Sequence, residues 1–117
     1  MEIGVLGFSG SKNIGDYIQT KAVIDILKTQ NIKILDREKL NNYKGNRIKT
    51  IVNGWFMESP ENWPPSNKIY PLFISFHINP SVKDTFTNQD SINYFKKYEP
   101  IGCRDYYTRN LLLEHGI

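Results

Sequence analysis

Four side chains in this sequence could do chemistry at or beside an anion: Asp16, Gln19, His77 and Arg104. Asp16 and Gln19 follow a Gly-rich turn, Gly7-Phe8-Ser9-Gly10-Ser11-Lys12-Asn13-Ile14-Gly15-Asp16, that joins an apolar run to a helical pattern. Backbone amides at a helix N-terminus favour anions, although Asp16 would compete there as a built-in carboxylate. The glycines do not have dinucleotide-binding spacing, and no Gly-Lys-Ser/Thr opens the helix. The turn supports anion or hydroxyl recognition and excludes the two common nucleotide loops. Arg104 offers a guanidinium either to clamp a carboxylate or phosphate or to bridge to Asp16, Asp36 or Glu38. His77 ends an apolar run and is a candidate for the same site.

Other reactive residue types point to plainer roles. Cys103 is the single cysteine. As a nucleophile it would need an activating base, and a cysteine ending a strand more often packs. His115 near a helix C-terminus is a favourable dipole partner. The two histidines stand apart and one cysteine cannot build a zinc site, so no metal is expected. Trp55, Phe56 and Trp63 either stack on sugar rings or pin a long loop to the domain.

These residues need elements to position them. Residues 3–8 read as a buried strand and 9–13 as a turn. A helix is expected from Gly15 or Asp16 to Gln30, with Ile14, Ile18, Ala22, Val23, Ile26 and Leu27 on one broad inward side and Gln19 inside that arc. Strands follow at 32–35, 48–53, 72–78 and 100–103. A short helical turn falls within 39–47, and helices at 89–98 and 106–115, the last with Asp105 as its N-cap. Between Trp55 and Pro71 lies a long segment rich in proline. Strands alternating with helices predict an α/β, Rossmann-like three-layer domain around a mostly parallel sheet. In such a sheet, ligands bind beyond the carboxyl ends of the strands, where Asn13, Asp36, Asn53, Gly54, His77 and Arg104 all fall.

Composition bounds the rest. A chain of 117 residues is one domain, 1–117, and its last residues, Leu111 to Ile117, read as a helix leading toward a further strand. The expectation is therefore the N-terminal part of a longer protein, or a fragment of one. A net charge of +3 is too mild to argue for nucleic acid. No apolar run approaches the roughly 18 residues of a membrane span. The opening Met-Glu-Ile-Gly-Val-Leu-Gly-Phe is no signal peptide, and low cysteine usage suits the cytoplasm.

Taken in order, the blocks resemble the polysaccharide pyruvyl transferase family. Asn13-Ile14-Gly15-Asp16-Tyr17-Ile18-Gln19 resembles that family's opening Asn-x-Gly-Asp/Ala-x-x-Gln motif. Asp36-Arg37-Glu38, Val52-Asn53-Gly54-Trp55-Phe56 and Gly102-Cys103-Arg104-Asp105-Tyr106-Tyr107-Thr108 resemble its next blocks, the last being a Gly-x-Arg-Asp/Glu-x-x-Ser/Thr pattern. The resemblance implies the N-terminal half of a GT-B type two-domain protein. It implies transfer of the enolpyruvyl unit of phosphoenolpyruvate to a pair of sugar hydroxyls, making a pyruvate ketal on a bacterial cell-surface polysaccharide. By motif, Asn13, Gly15, Asp16, Gln19, Asn53, Gly54 and Arg104 would line the cleft side. Asp16 and His77 are the local candidates for proton transfer. The family's main donor-binding residues belong to a second domain, so this chain alone should lack the full donor site and activity. The implied partners are phosphoenolpyruvate, a sugar or lipid-linked oligosaccharide acceptor and that second domain, with no separate cofactor. Two other readings stay open: a free-standing flavodoxin-like module binding an anion or a protein, and a GT-B glycosyltransferase using a nucleotide-sugar.

Overall fold

The computed structural model describes residues 2–8, 13–28 and 31–117. Their order is β1 (Ile3–Gly7), α1 (Ile14–Leu27), β2 (Ile32–Asp36), β3 (Ile48–Phe56), β4 (Ile69–Ile78), α2 (Lys83–Phe86), α3 (Gln89–Lys97), β5 (Ile101–Cys103) and α4 (Tyr106–Glu114), with 3-10 turns at Arg37–Asn42, Pro60–Asn62 and Pro80–Val82. The five strands form one sheet in the order β2-β1-β3-β4-β5. Every pairing is parallel. The order turns back between β1 and β3, which is where a doubly wound, Rossmann-like sheet opens its binding crevice.

One face of the sheet carries the core. Leu6, Leu35, Val52, Phe73, Phe76 and Ile78 meet Phe86 of α2, Phe95 of α3 and Leu112 of α4. Each such side chain contributes roughly 1.5–3 kcal/mol by leaving water. Trp63 belongs to this core, with its ring 4.6 Å from Phe86 and 5.6 Å from Phe56. Trp63 and Phe56 therefore pin the long segment to the domain and are not exposed for sugar stacking.

The other face carries α1, and here the sequence expectation is corrected. Ile14, Ile18 and Ile26 are 74%, 61% and 77% exposed. The inward side of α1 is more polar. Asp16 is buried, and Thr20 Oγ1 donates to the Leu6 carbonyl at 2.7 Å. That bond and the burial of Asp16 mark the face of the helix turned to the sheet. The helix begins one residue earlier than expected, capped by Asn13, whose side chain accepts from the Gly15 amide. It ends at Leu27 with Lys28 in the left-handed conformation, and the expected extension to Gln30 falls outside the described residues. The turn residues Ser9 to Lys12 also lie outside them.

Two strands are longer than their patterns suggest. β3 runs on through Asn53, Gly54 and Trp55, so these residues belong to the strand and do not follow it. β4 begins at Ile69 and includes Pro71. Its pairing with β5 starts only at Phe73, leaving Pro71 where β4 is an edge. The helix over 89–98 and the strand over 100–103 appear within a residue of expectation, and α4 carries the expected Asp105 cap.

Candidate active site at the carboxyl edge of the sheet

The site is assembled from the ends of β1, β3 and β5. A polar cleft of about 430 Å³ is lined by Asn13, Gly15, Asp16, Gln19, Trp55, Glu58 and Arg104. Six of the residues singled out from sequence therefore meet there: Asn13, Gly15, Asp16, Gln19, Trp55 and Arg104. Asn53 and Gly54 stand behind this lining on β3. Gly54 has φ +82°, and a Cβ on it would lie 2.7 Å from Gln19 Oε1. The glycine thus lets the Gln19 amide press against the strand, and only glycine takes that backbone conformation without strain.

Arg37, which sequence reasoning left without a role, holds the floor of the cleft. It is 1% exposed. Its Nε donates to the Glu38 carboxylate, and its Nη1 donates to the Trp55 carbonyl at 3.1 Å. The same Nη1 lies 3.8 Å from Asp16 Oδ1. Its guanidinium stacks over the Phe8 and Trp55 rings, 4.5 and 5.2 Å from their centroids. Glu38 in turn accepts from the Ser59 amide at 2.7 Å and fixes the turn after β3. Arg37 is therefore the structural bridge to Asp16 and Glu38 that the sequence offered to Arg104. Arg104 itself is exposed and makes no ion pair among the described residues. Glu58, also missed, comes to the cleft because β3 runs longer than its apolar pattern.

His77 stands on β4, between β3, which carries Trp55, and β5, which Arg104 follows. It is the register partner of Trp55. Its Nδ1 is hydrogen-bonded to Asp105 Oδ2. Asp105 Oδ1 accepts from the Thr108 amide at 2.8 Å as the N-cap of α4. Burial pushes the Asp105 carboxyl up, but hydrogen bonds from Thr108 and His77 outweigh it and hold the group below its ordinary value. His77 flanks the cleft and is not part of its lining.

The remaining candidates have quieter roles. Burial pushes the Cys103 thiol up, Asp105 adds to this, and Arg109 only partly opposes it. A raised thiol is a poor nucleophile, which suits the packing role. His115 Nδ1 bonds the Leu111 carbonyl at 2.9 Å and serves the end of α4. Among the described residues, no group of three or more His, Cys, Asp or Glu could hold a metal. No helix among them is long and apolar enough to cross a membrane.

A family model for polysaccharide pyruvyl transferase matches residues 13–117. The chain belongs to the polysaccharide pyruvyl transferase family. The match starts at Asn13, the cap of α1, and takes in every cleft residue named above. No curated protein and no solved structure matches the chain.

Proposed function

We propose that this chain is the N-terminal, acceptor-holding part of a GT-B type pyruvyl transferase. The enzyme would move the enolpyruvyl unit of phosphoenolpyruvate onto two hydroxyls of a sugar in polysaccharide biosynthesis. The observation that carries the reading is the make-up of the family-matched cleft: two carboxylates, two amides, an indole and one guanidinium without an ion pair among the described residues, around about 430 Å³. Asp16, Glu58, Asn13 and Gln19 suit sugar hydroxyls, which donate to carboxylates and amide oxygens. Trp55 offers a face for a sugar ring. Two carboxylates repel a trianion, so most of the donor's charge is met elsewhere, by the second domain that the family resemblance implies. Arg104 at the rim supplies one bidentate contact to the donor's phosphate or carboxylate.

The reaction balances without a separate cofactor. One hydroxyl oxygen bonds to C2 of the donor as C3 gains a proton and becomes a methyl group. The second hydroxyl oxygen bonds to C2 as phosphate leaves. Of the two hydroxyl protons, one is made up at C3 and the other departs with phosphate. Asp16 and His77 are the groups of this domain that serve those proton transfers.

The test is phosphate release from phosphoenolpyruvate by the purified full-length protein, with the second domain that the family resemblance implies, over a panel of sugar and lipid-linked sugar acceptors. Acceptor-dependent release with a ketal product supports the reading. Neither release nor donor binding on any acceptor rejects it, and thermal protection by a nucleotide-sugar alone would transfer the site to glycosyl transfer.

A further inference from the structure

We infer that Asp105 is a positioning residue that fixes His77 in one tautomer, with Nε2 as the proton acceptor at the carboxyl edge of the sheet. This rests on the pyruvyl-transfer reading for its substrate, and on the fold alone for its geometry.

The geometry begins with an irregularity in β4. Ile69 and Phe73 point into the core, and a plain alternation would send His77 there too. The register shifts between Phe73 and Phe76 against both neighbours: Val52 to Gly54 spans two residues on β3, and Ile101 to Cys103 two on β5, opposite three on β4. Ser75 takes up the extra residue with φ 51°. Phe76 and Ile78 then fill the core, and His77 turns to the face of Trp55 and α1. Bulges beside functional sites re-aim side chains in this way.

The start of α4 is bolted to that turn. The Arg104 amide donates to the Phe76 carbonyl at 2.9 Å, and the Ile78 amide donates to Thr108 Oγ1 at 3.1 Å. Between these two bonds Asp105 meets His77 Nδ1. An ionised carboxylate only accepts, so Nδ1 carries the proton and Nε2 carries the lone pair. The imidazole is 17% exposed, and Nε2 has no hydrogen-bond partner among the described residues. In the reaction, Nε2 takes the proton of one sugar hydroxyl as its oxygen bonds to C2. The imidazolium, stabilised by Asp105, then hands that proton to the departing phosphate.

Asp105→Asn separates positioning from folding. Asparagine caps a helix as well as aspartate. With Oδ1 still held by the Thr108 amide, the group facing Nδ1 becomes an NH₂ donor, which drives the ring proton to Nε2. The protein has two histidines, so 15N-histidine labelling gives two ring patterns, assigned with His77→Gln. At a pH where both rings are neutral, the wild type is expected to show Nδ1–H at His77. Asp105→Asn is expected to show Nε2–H there, while His115 is unchanged and reports an intact α4. Turnover should fall about 10²–10⁴-fold with donor affinity unchanged. An Asp105→Asn protein whose His77 keeps Nδ1–H overturns the inference, as does a switched tautomer with wild-type turnover. A full-length wild type, second domain included, that releases no phosphate rejects pyruvyl transfer as the substrate reading, and the tautomer then decides the role of Asp105 by itself.

Discussion

Trp55 and His77 are register partners on adjacent parallel strands, and they share a face only because β4 carries one more residue than β3 between Phe73 and Phe76. Ser75 holds that extra residue in the left-handed region, which glycine adopts freely and a β-branched residue resists. Ser75→Gly is expected to leave the urea midpoint unchanged or raise it. Ser75→Val should lower stability by about 1–2 kcal/mol. If Val is tolerated as well as Gly, the bulge is not set by this residue.

The bulge also shows how far the sequence can be read. Leu72-Phe73-Ile74-Ser75-Phe76-His77-Ile78 is nearly continuous in apolar residues, so its strand was plain. Its facing was not, because two inward phenylalanines three apart break a period of two. α3 and β5 were legible, and so was α4, since Asp105 precedes a clean helical pattern. The rotation of α1 was hidden, because Thr20 answers a strand carbonyl that no local pattern reveals. The cleft was half legible. Asn13, Gly15, Asp16, Gln19 and Arg104 were legible through the family-like blocks, while the burial of Arg37 was not. Its signal was the placement of an arginine directly between Asp36 and Glu38 after a strand.

Arg37→Met should be the most damaging single change in the cleft. It removes the Arg37 cation from beside Glu38 and Asp16 and the Nη1 donor from the Trp55 carbonyl. Breaking a buried pair on one side costs about 3–5 kcal/mol. Glu38→Gln in the Arg37→Met background should recover part of that loss, because the stranded charge is then gone. Equilibrium unfolding of the two single variants and the double variant measures the coupling. Simple additivity would mean that Arg37 acts by packing alone.

Asp105 gives a pH dependence with a defined sign. Its folded carboxyl lies below the ordinary value, so it stabilises the fold above the ordinary carboxylate range. That contribution fades as pH falls through the folded value. The groups around it are His77 on β4, Thr108 and Arg109 on α4, and Cys103 on β5. The stability gap between wild type and Asp105→Asn is therefore expected to be full above the ordinary carboxylate range and to shrink as the pH falls below it. Urea midpoints over that range check it. A gap that widens on acidification would reverse the assignment.

Arg104 separates binding from folding. Its side chain is exposed and pairs with no carboxylate among the described residues, so Arg104→Ala should move stability by no more than about 0.5 kcal/mol. Its loss should still weaken recognition of the anionic donor, because a guanidinium contact to phosphate or carboxylate is worth about 1.5–3 kcal/mol. That corresponds to roughly a 10–150-fold rise in the donor's half-saturating concentration, with a much smaller change for the sugar acceptor. Arg104→Lys should keep the charge, lose the two-pronged geometry and fall between the two. Steady-state kinetics with each substrate varied in turn reads the difference. An equal loss toward donor and acceptor would place Arg104 in the general shape of the cleft and remove it from the donor's path.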